Sequence, residues 1–547
     1  MRTVDCFVAA IALFGGFGTP SAPAAIDRVA EASSGKAPEA GDQVLFPLDD
    51  HSIPWRENLK LTLEPPRKYS GNPVMGPGPL AGPDGYGALL YGTVIKQAGK
   101  FRMWYVASPR VDSAVPGDDE NLEYYRPVAY AESPDGIQWT RPNLGLLDFR
   151  GNRNNNLVRI EPANEPYSRA YDFVAVFYDP TDPDRNQRYK MAYITHDMPQ
   201  ASESTATAVS PDGLRWQLSN TVMFTQGHFE NTSLIKFGPL YYLSGQNHPP
   251  HDAGLPDGSP AGRLMKIFFS ADFRHWSGGR ALGFYRSDYE SKPVHFGEEV
   301  HMGAGLWNRG NVILGLYGRW HGEALAARRN QGGPRLGGLK IDLGLVVSND
   351  AVHYREPVGN YIYVPRGPAG AWDSEAVLQA NAFANTATET YIWYSDWNTS
   401  RPDEIPSLTD ALSPAERQKA CAIGLLRLPR DRFGYFSKIL PVDPDDPALK
   451  REASCLTRRF NLPTAERLYV NLGDVAPEAP LQIALVDDSE QPLAGYTAVL
   501  ASDSLKGPVA WSGGHPALPA DTAFRIKVTW PAGVDLPKLY ALYLEHP

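Results

Sequence analysis

Three cysteines in 547 residues are too few for a disulfide-stapled scaffold, and none stands in the spacings that zinc sites use. Basic charge is short as well: 52 Lys and Arg against 62 Asp and Glu leave a formal net charge of −10. Gripping a phosphate backbone needs the opposite balance, so a nucleic-acid partner is excluded. Acidic residues are spread along the chain rather than run together, which excludes a disordered acidic tail. After the N-terminal segment no stretch approaches the roughly 18 apolar residues that span a bilayer, so no membrane partner is expected.

Glycine, proline and aromatics are plentiful. Gly 50 and Pro 49 make 99 of 547 residues, about 18% where about 12% is usual. With 27 Tyr, 21 Phe and 12 Trp, that surplus points to many turns between short strands and away from a helical bundle. The start reads as an export signal over residues 1–24: Arg2, an apolar run from Phe7 to Phe17, then small residues in Ala22-Pro23-Ala24. The expected location is therefore secreted or periplasmic. Cys6 leaves with that signal. Cys421 and Cys455 remain, and an even count in an exported chain allows either one disulfide or two buried thiols.

One unit recurs. Ser133-Pro134-Asp135-Gly136-Ile137-Gln138-Trp139 returns as Ser210-Pro211-Asp212-Gly213-Leu214-Arg215-Trp216. It returns again as Ser270-Ala271-Asp272-Phe273-Arg274-His275-Trp276 and as Ser348-Asn349-Asp350-Ala351-Val352-His353-Tyr354, with a worn copy from Asp431 to Tyr435. Each Asp precedes an aromatic by four positions, at intervals of 77, 60, 78 and 81 residues. Apolar runs before each copy, such as Phe173 to Phe177 and Phe101 to Val106, supply further strands. Four strands per unit and five units predict a five-bladed β-propeller, with the Asp turns as scaffold.

The repeats and the Ser-x-Asp-Gly-x-x-Trp turns resemble the five-bladed propeller glycosidases of glycoside hydrolase families 32, 43, 62, 68, 117 and 130. Six-bladed sialidases carry a related turn one residue longer. The resemblance covers roughly residues 70 to 440. It implies glycoside hydrolysis by carboxylates: an Asp base or nucleophile, a Glu acid, and a second Asp that tunes the acid. The Trp-Met-Asn-Asp-Pro and His-Asp-Pro signatures of families 32 and 43 are missing, which leaves the blade-one Asp open.

The expected layout is all-β: residues 25–69 lead into a propeller over 70–445, a linker covers 446–463, and a C-terminal antiparallel β-sandwich covers 464–547. Alternation in Leu481 to Val486 and Phe524 to Val528 carries the sandwich. Long connections at 107–127, 245–263, 319–340 and 395–420 gather at one rim, and binding function concentrates on such loops. Laying the inner strands against one another by their turns puts Asp172 level with Glu230 and His301, with Glu299 two residues earlier on the same side. These give Asp172, Glu230 and Glu299 as the catalytic candidates, because glycoside hydrolysis needs one protonated and one ionised carboxyl. Asp84, His228, His301, Arg319, Trp320, His321, Asp373, Glu375, Asp396 and Trp397 are the substrate-binding candidates. Trp104, Trp372 and Trp393 are further aromatic faces that could meet a sugar.

The expected partner is an oligosaccharide or polysaccharide of plant, algal or microbial origin; the oligomeric state is unspecified. No organic cofactor is implied and no metal ligand set is assigned. The likeness to family 43 leaves room for a structural calcium near the axis, beside His228 or His301. His248-Pro249-Pro250-His251-Asp252 has the residue types of a metal cluster, but its prolines hold the backbone extended. Two alternatives stay open: a non-catalytic carbohydrate-binding propeller, and an inverting glycoside phosphorylase, for which Arg328, Arg329 and Arg335 would supply phosphate contacts.

Overall fold

A computed structural model describes residues 42–110, 126–162, 172–197, 202–220, 229–247, 263–286, 299–321, 340–397, 421–440, 447, 452–532 and 536–546. Among them the chain is all-β, with seven sheets and one short 3₁₀ turn at Arg185–Gln187. No helix among the described residues is long and apolar enough to cross a membrane.

Five sheets follow one another along the chain as antiparallel meanders, the second extended at its outer edge by Arg159–Glu161, which pairs parallel with Arg215–Asn220. The first holds Gly87–Gln97, Lys100–Ser108 and Val128–Ser133, and the second holds Asp172–Tyr178, Tyr189–Asp197, Ser202–Ser210 and Arg215–Asn220. The third runs Phe229–Phe237, Leu240–Asn247, Met265–Ser270 and Ala281–Phe284; the fourth runs Glu299–Asn308, Ile313–His321 and Lys340–Ser348. In the fifth, Val377–Leu378 and Phe383–Asn385 both pair with Glu389–Asp396, which pairs with Ile423–Pro429. Its outer edge is then covered by Arg67–Lys68, from the other end of the chain.

Hydrogen bonds join the first strands into a ring. Val176 N–H donates to Thr93 Oγ1 (2.9 Å), Asn231 Nδ2 to Phe173 O (3.0 Å), and Leu306 N–H to Ser233 Oγ (3.1 Å). Gln379 Nε2 donates to Gly303 O (3.0 Å), and Asn381 N–H returns to Gly92 O of the first sheet (3.1 Å). The fifth sheet thus meets the first and closes the ring.

The Asp turns are local devices. Asp212 Oδ1 accepts from the backbone N–H groups of Leu214 (2.8 Å) and Arg215 (2.9 Å), while Ser210 Oγ accepts from Gly213 N–H (2.9 Å). Asp135, Asp272 and Asp350 repeat that pattern. Two of these turns are also joints between sheets. Trp104 Nε1 of the first sheet donates to Gly213 O (2.6 Å), and Trp393 Nε1 of the fifth donates to Gly136 O (2.9 Å). Gly213 has φ +78°, and a Cβ there would stand 2.6 Å from Trp104, so glycine is required twice over. Trp216 is fully buried, whereas Trp139 is partly buried against the core of the first and fifth sheets.

The fifth copy departs from this plan. Asp431 itself occupies the left-handed position (φ 61°) that Gly136 and Gly213 hold in their turns. Its buried carboxylate accepts from Asn385 Nδ2 (3.0 Å), Tyr543 Oη (3.1 Å) and Arg309. Instead of capping its own turn, it welds the fourth and fifth sheets to the C-terminal strands.

Residues 42–63 also belong to more than a lead-in. Gln43–Leu45 pairs with Lys538–Glu545, and Leu59–Leu63 pairs with Gly434–Lys438 beside Arg467–Gly473 and Ser504–Pro508. Trp55–Glu57 edges the seventh sheet, with Ala453–Leu456, Ala523–Trp530, Leu481–Val486 and Pro492–Leu500. These two sheets share one apolar core, in which Leu472 and Leu542 of one meet Ile483 and Val528 of the other. Cys455 lies in that core and Cys421 in the core between the first two meanders; both are buried and they do not pair with each other. The disulfide alternative is therefore overturned, because the two residues pack in separate layers.

Candidate functional site

The rim connections lie mostly outside the described residues, as do His228, the 248–252 stretch, and Arg328, Arg329 and Arg335. The strands that end beneath them are described. Asn231 reaches Phe173 O as above, and Gln246 Oε1 accepts from Met302 N–H at 2.6 Å. Asp172, Glu230 and His301 each stand one residue before Phe173, Asn231 and Met302, so they share one end of the ring. Asp172 is placed by its backbone, paired with Ile194.

Bulges sit beside Glu230 and His301. The ladder slips between Asn231 and Ser233 in the third sheet and between His301 and Ala304 in the fourth, and a bulge re-aims the side chains beside it. A Cβ on Gly245 would stand 2.2 Å from Glu230 O, so only glycine lets the partner strand close on that bulge.

Glu230 and Glu299 meet at one guanidinium. Arg263 Nη1 lies 4.0 Å from Glu230 Oε2, and its Nε lies 3.7 Å from Glu299 Oε2. Gln246 Nε2 donates to the same Glu230 oxygen. Glu299 is sealed, with 2% of its side chain exposed, while Glu230 keeps 13%. Arg263 also reaches His301 Nδ1 (3.2 Å) and lies 4.4 Å from the centre of the Trp320 ring. His301 stacks on Trp397 at 5.8 Å and 18°. Tyr91 packs on Phe173 (4.4 Å) and completes an apolar floor with Ile194 and Met302. Two glutamates, an arginine, an amide and an imidazole thus converge beside half-buried aromatic faces. Chemically this set can exchange a proton with a bound hydroxyl or ether oxygen and stack on an apolar sugar face.

Several substrate-binding candidates are committed elsewhere. Asp84 is buried against Tyr105 Oη (2.7 Å) and Arg141 Nε (2.6 Å); Asp373 is buried against Tyr394 Oη (2.8 Å) and Lys68 Nζ (2.6 Å). Burial, then the adjacent carboxylate, pushes the Tyr105 and Tyr394 hydroxyls well above the ordinary phenol value, which keeps them as donors. Arg319 is buried on Glu356 (3.3 Å) and Tyr317 Oη (3.2 Å). Asp396 Oδ1 accepts from Ala422 N–H (2.6 Å), and His321 Nε2 lies 3.5 Å from Asp342. Trp320 is sealed beneath Arg263, while Trp104 and Trp393 are the turn joints described above; Trp372 packs on Tyr394. Trp397 and Glu375 stay partly accessible.

Arg263, Gln246 and Tyr91 escaped sequence reasoning. Counting outward from the Gly238-Pro239 turn pairs Glu230 with Asn247; the bulge between Asn231 and Ser233 moves its partner to Gln246, and no local signal gives that slip. Nothing local marks Arg263. Among the described residues no group of three His, Cys, Asp or Glu is placed to hold a metal ion.

No family model matches the sequence, and no curated protein matches it. Solved structures of glycoside hydrolases are similar to it. A family 43 arabinoxylan arabinofuranohydrolase from Bacillus subtilis, in complex with cellotetraose, is 11% identical, with 88% of this chain and 99% of that one covered and a TM-score of 0.36. A glycosyl hydrolase from Bacteroides ovatus is 12% identical over 69% and 96% of the two chains, TM-score 0.40. An N-acetylgalactosamine deacetylase from F. plautii, in complex with blood group B trisaccharide, is 14% identical over 68% and 95%, TM-score 0.41.

Proposed function

We propose that the ring of five meanders is a five-bladed β-propeller braced by a β-sandwich, and that the chain is an exported glycoside hydrolase. The observation that carries this reading is the pair Glu230 and Glu299, brought from neighbouring first strands to one guanidinium at the axial end of the ring. Glu230 keeps some accessibility and can meet a glycosidic oxygen as general acid; Glu299 is sealed and holds Arg263 in place. Asp172, at the same level one sheet away, is the second reacting carboxylate, as base or as the neighbour that keeps Glu230 protonated. Trp397 is the aromatic face for the sugar.

Turnover on a panel of plant, algal and microbial glycans, with and without phosphate, tests the reading. Glu230→Gln should lower kcat by about 10²–10⁴-fold while glycan still binds. Full activity in that variant would discard the assignment. A second reading, a glycan-binding propeller without turnover, draws on the same Arg263, because a cation between both glutamates suits two permanent carboxylates. Binding without hydrolysis across the panel would favour it, and strict phosphate dependence would make the enzyme a phosphorylase.

A further inference from the structure

The seventh sheet turns one face to the core and the other away from it. Leu481, Ile483 and Leu485 point into the core shared with the sixth sheet, so Gln482 and Ala484 between them point outward. Phe524, Ile526 and Val528 do the same for Lys527 and Thr529 on the neighbouring strand. Register then lays two rows across the outer face: Thr529, Gln482 and Val499 in one, Lys527, Ala484 and Thr497 in the next. These rows floor a cleft of about 640 Å³, within the roughly 300–1,000 Å³ of small-ligand sites.

Side-chain size makes the cleft. Ala484 puts a single methyl at its centre, while the walls are longer. On the hairpin side Lys527 Nζ donates to Glu490 Oε2 at 2.8 Å. Opposite, Ser512 N–H donates to Thr497 O (2.8 Å), and the two hydroxyls lie 3.0 Å apart. The charge of Lys527 is thus spent, and Glu452 at the Gln482 end repels an anionic chain. Among the described residues the Gln482 amide and the Thr529 hydroxyl have no hydrogen-bond partner. A purely apolar ligand would strand both groups away from water. Val499, 65% exposed, and Pro492 supply apolar contact beside them. Neutral donors and acceptors next to small apolar patches match a ligand that carries hydroxyls and C–H faces together.

We propose that this cleft is a second carbohydrate site, which takes a short stretch of an uncharged polysaccharide. It deepens the glycoside hydrolase reading and rests on it for the role of the cleft, which is to keep the enzyme on its polymer. No aromatic side chain lines it, so each contact is weak and counts on long chains, where a second site raises effective concentration.

Native gels cast with arabinoxylan, hydroxyethyl cellulose or laminarin, run beside plain gels, read such weak retention directly. The full chain carrying Glu230→Gln is the host, so that the polymer is not consumed. Retention on at least one polymer is expected. Ala484→Tyr, which fills the floor, should weaken it about tenfold. Gln482→Ala with Thr529→Val should weaken it about 3–10-fold and decides the matter if the tyrosine variant does not fold. In the active chain, Ala484→Tyr should leave kcat on a short oligosaccharide unchanged and raise the polymer concentration that gives half-maximal rate. Retention on none of the three polymers would overturn the proposal, and so would equal retention by the host and the cleft variants. Cleft-dependent retention in a chain that hydrolyses nothing would leave this inference standing while the glycoside hydrolase reading falls.

Discussion

Replacing Gly213 with alanine isolates how far the Asp turns hold neighbouring sheets together. Two costs meet at that position. Its φ of +78° is one that an L-residue adopts at a penalty, and an added Cβ would stand 2.6 Å from the buried Trp104 ring. Gly99 has nearly the same angle, φ +79°, but nothing within 4 Å of a Cβ. Gly99→Ala should therefore cost only the backbone term, roughly 1–2 kcal/mol. Gly213→Ala should add the overpacking of a closed interface, roughly 1–3 kcal/mol more. Urea unfolding of both variants and the parent gives the difference as the shift in midpoint at constant m. Trp104→Phe in the Gly213→Ala background should recover part of the loss, because the two sites share one contact. Equal midpoint losses for Gly99→Ala and Gly213→Ala would refute the interlock, and so would strict additivity with Trp104→Phe.

Two further outcomes follow from side-chain chemistry. Burial raises the Asp272 carboxyl, but the N–H groups of His275 and Arg274 and the His275 ring outweigh it and pull the pKa from 3.8 down to about 2. A depressed folded value means stability present above the unfolded value and lost as pH falls through the folded one. The midpoint gap between wild type and Asp272→Asn should thus be full near neutral pH and close between about pH 4 and 2, and a gap independent of pH would contradict it. The buried thiols give the second outcome: both are sealed and burial pushes Cys455 up to about 12, so alkylation should miss Cys421 and Cys455 in the native chain and label both in urea without reductant. Labelling that requires a reductant would show a disulfide instead.

The repeat was legible because its turn is encoded within seven residues, where Ser, Asp and the following N–H groups satisfy one another. Asp431 misled because the four-residue spacing to an aromatic survives there by itself. The residue sits one position later in its turn, in the slot where the other copies place Gly136, Gly213, Phe273 and Ala351, all at positive φ. The strands of residues 42–68 were invisible for another reason: Arg67 pairs with Arg427 and Val44 with Tyr543. No local pattern announces partners at such sequence distance. At the axial end, aligning strands by their turns placed Asp172, Glu230 and His301 at one level, whereas Arg263 enters from beyond a long connection and carries no periodic signal. Asp84 and Asp373 precede first strands, as axial carboxylates would, yet each folds back into a proline-rich turn.

Those two turns are built alike, and the likeness carries a prediction about closure. Gly78 N–H donates to Asp84 O (2.9 Å) as Gly367 N–H donates to Asp373 O (3.0 Å). Each carboxylate then takes a tyrosine hydroxyl from the second strand of its own sheet and one cation. The cations differ in origin: Arg141 follows the first sheet's own Asp turn, but Lys68 belongs to the strand that closes the fifth sheet from the N-terminal side. Lys68 therefore ties the closing strand to the turn that precedes the inner strand of that sheet. Lys68→Met removes the cation and leaves Asp373, 3% exposed, facing only Tyr394. Breaking a buried pair by one partner costs about 3–5 kcal/mol, and because Lys68 keeps 28% exposure, about 1–3 kcal/mol is the discounted expectation. Asp373→Asn in the Lys68→Met background should return part of that loss, since the orphaned charge is gone. Urea midpoints of the two single variants, the double variant and the parent measure the coupling. If the two substitutions add, Lys68 is a surface ion pair and closure rests on the backbone ladder alone.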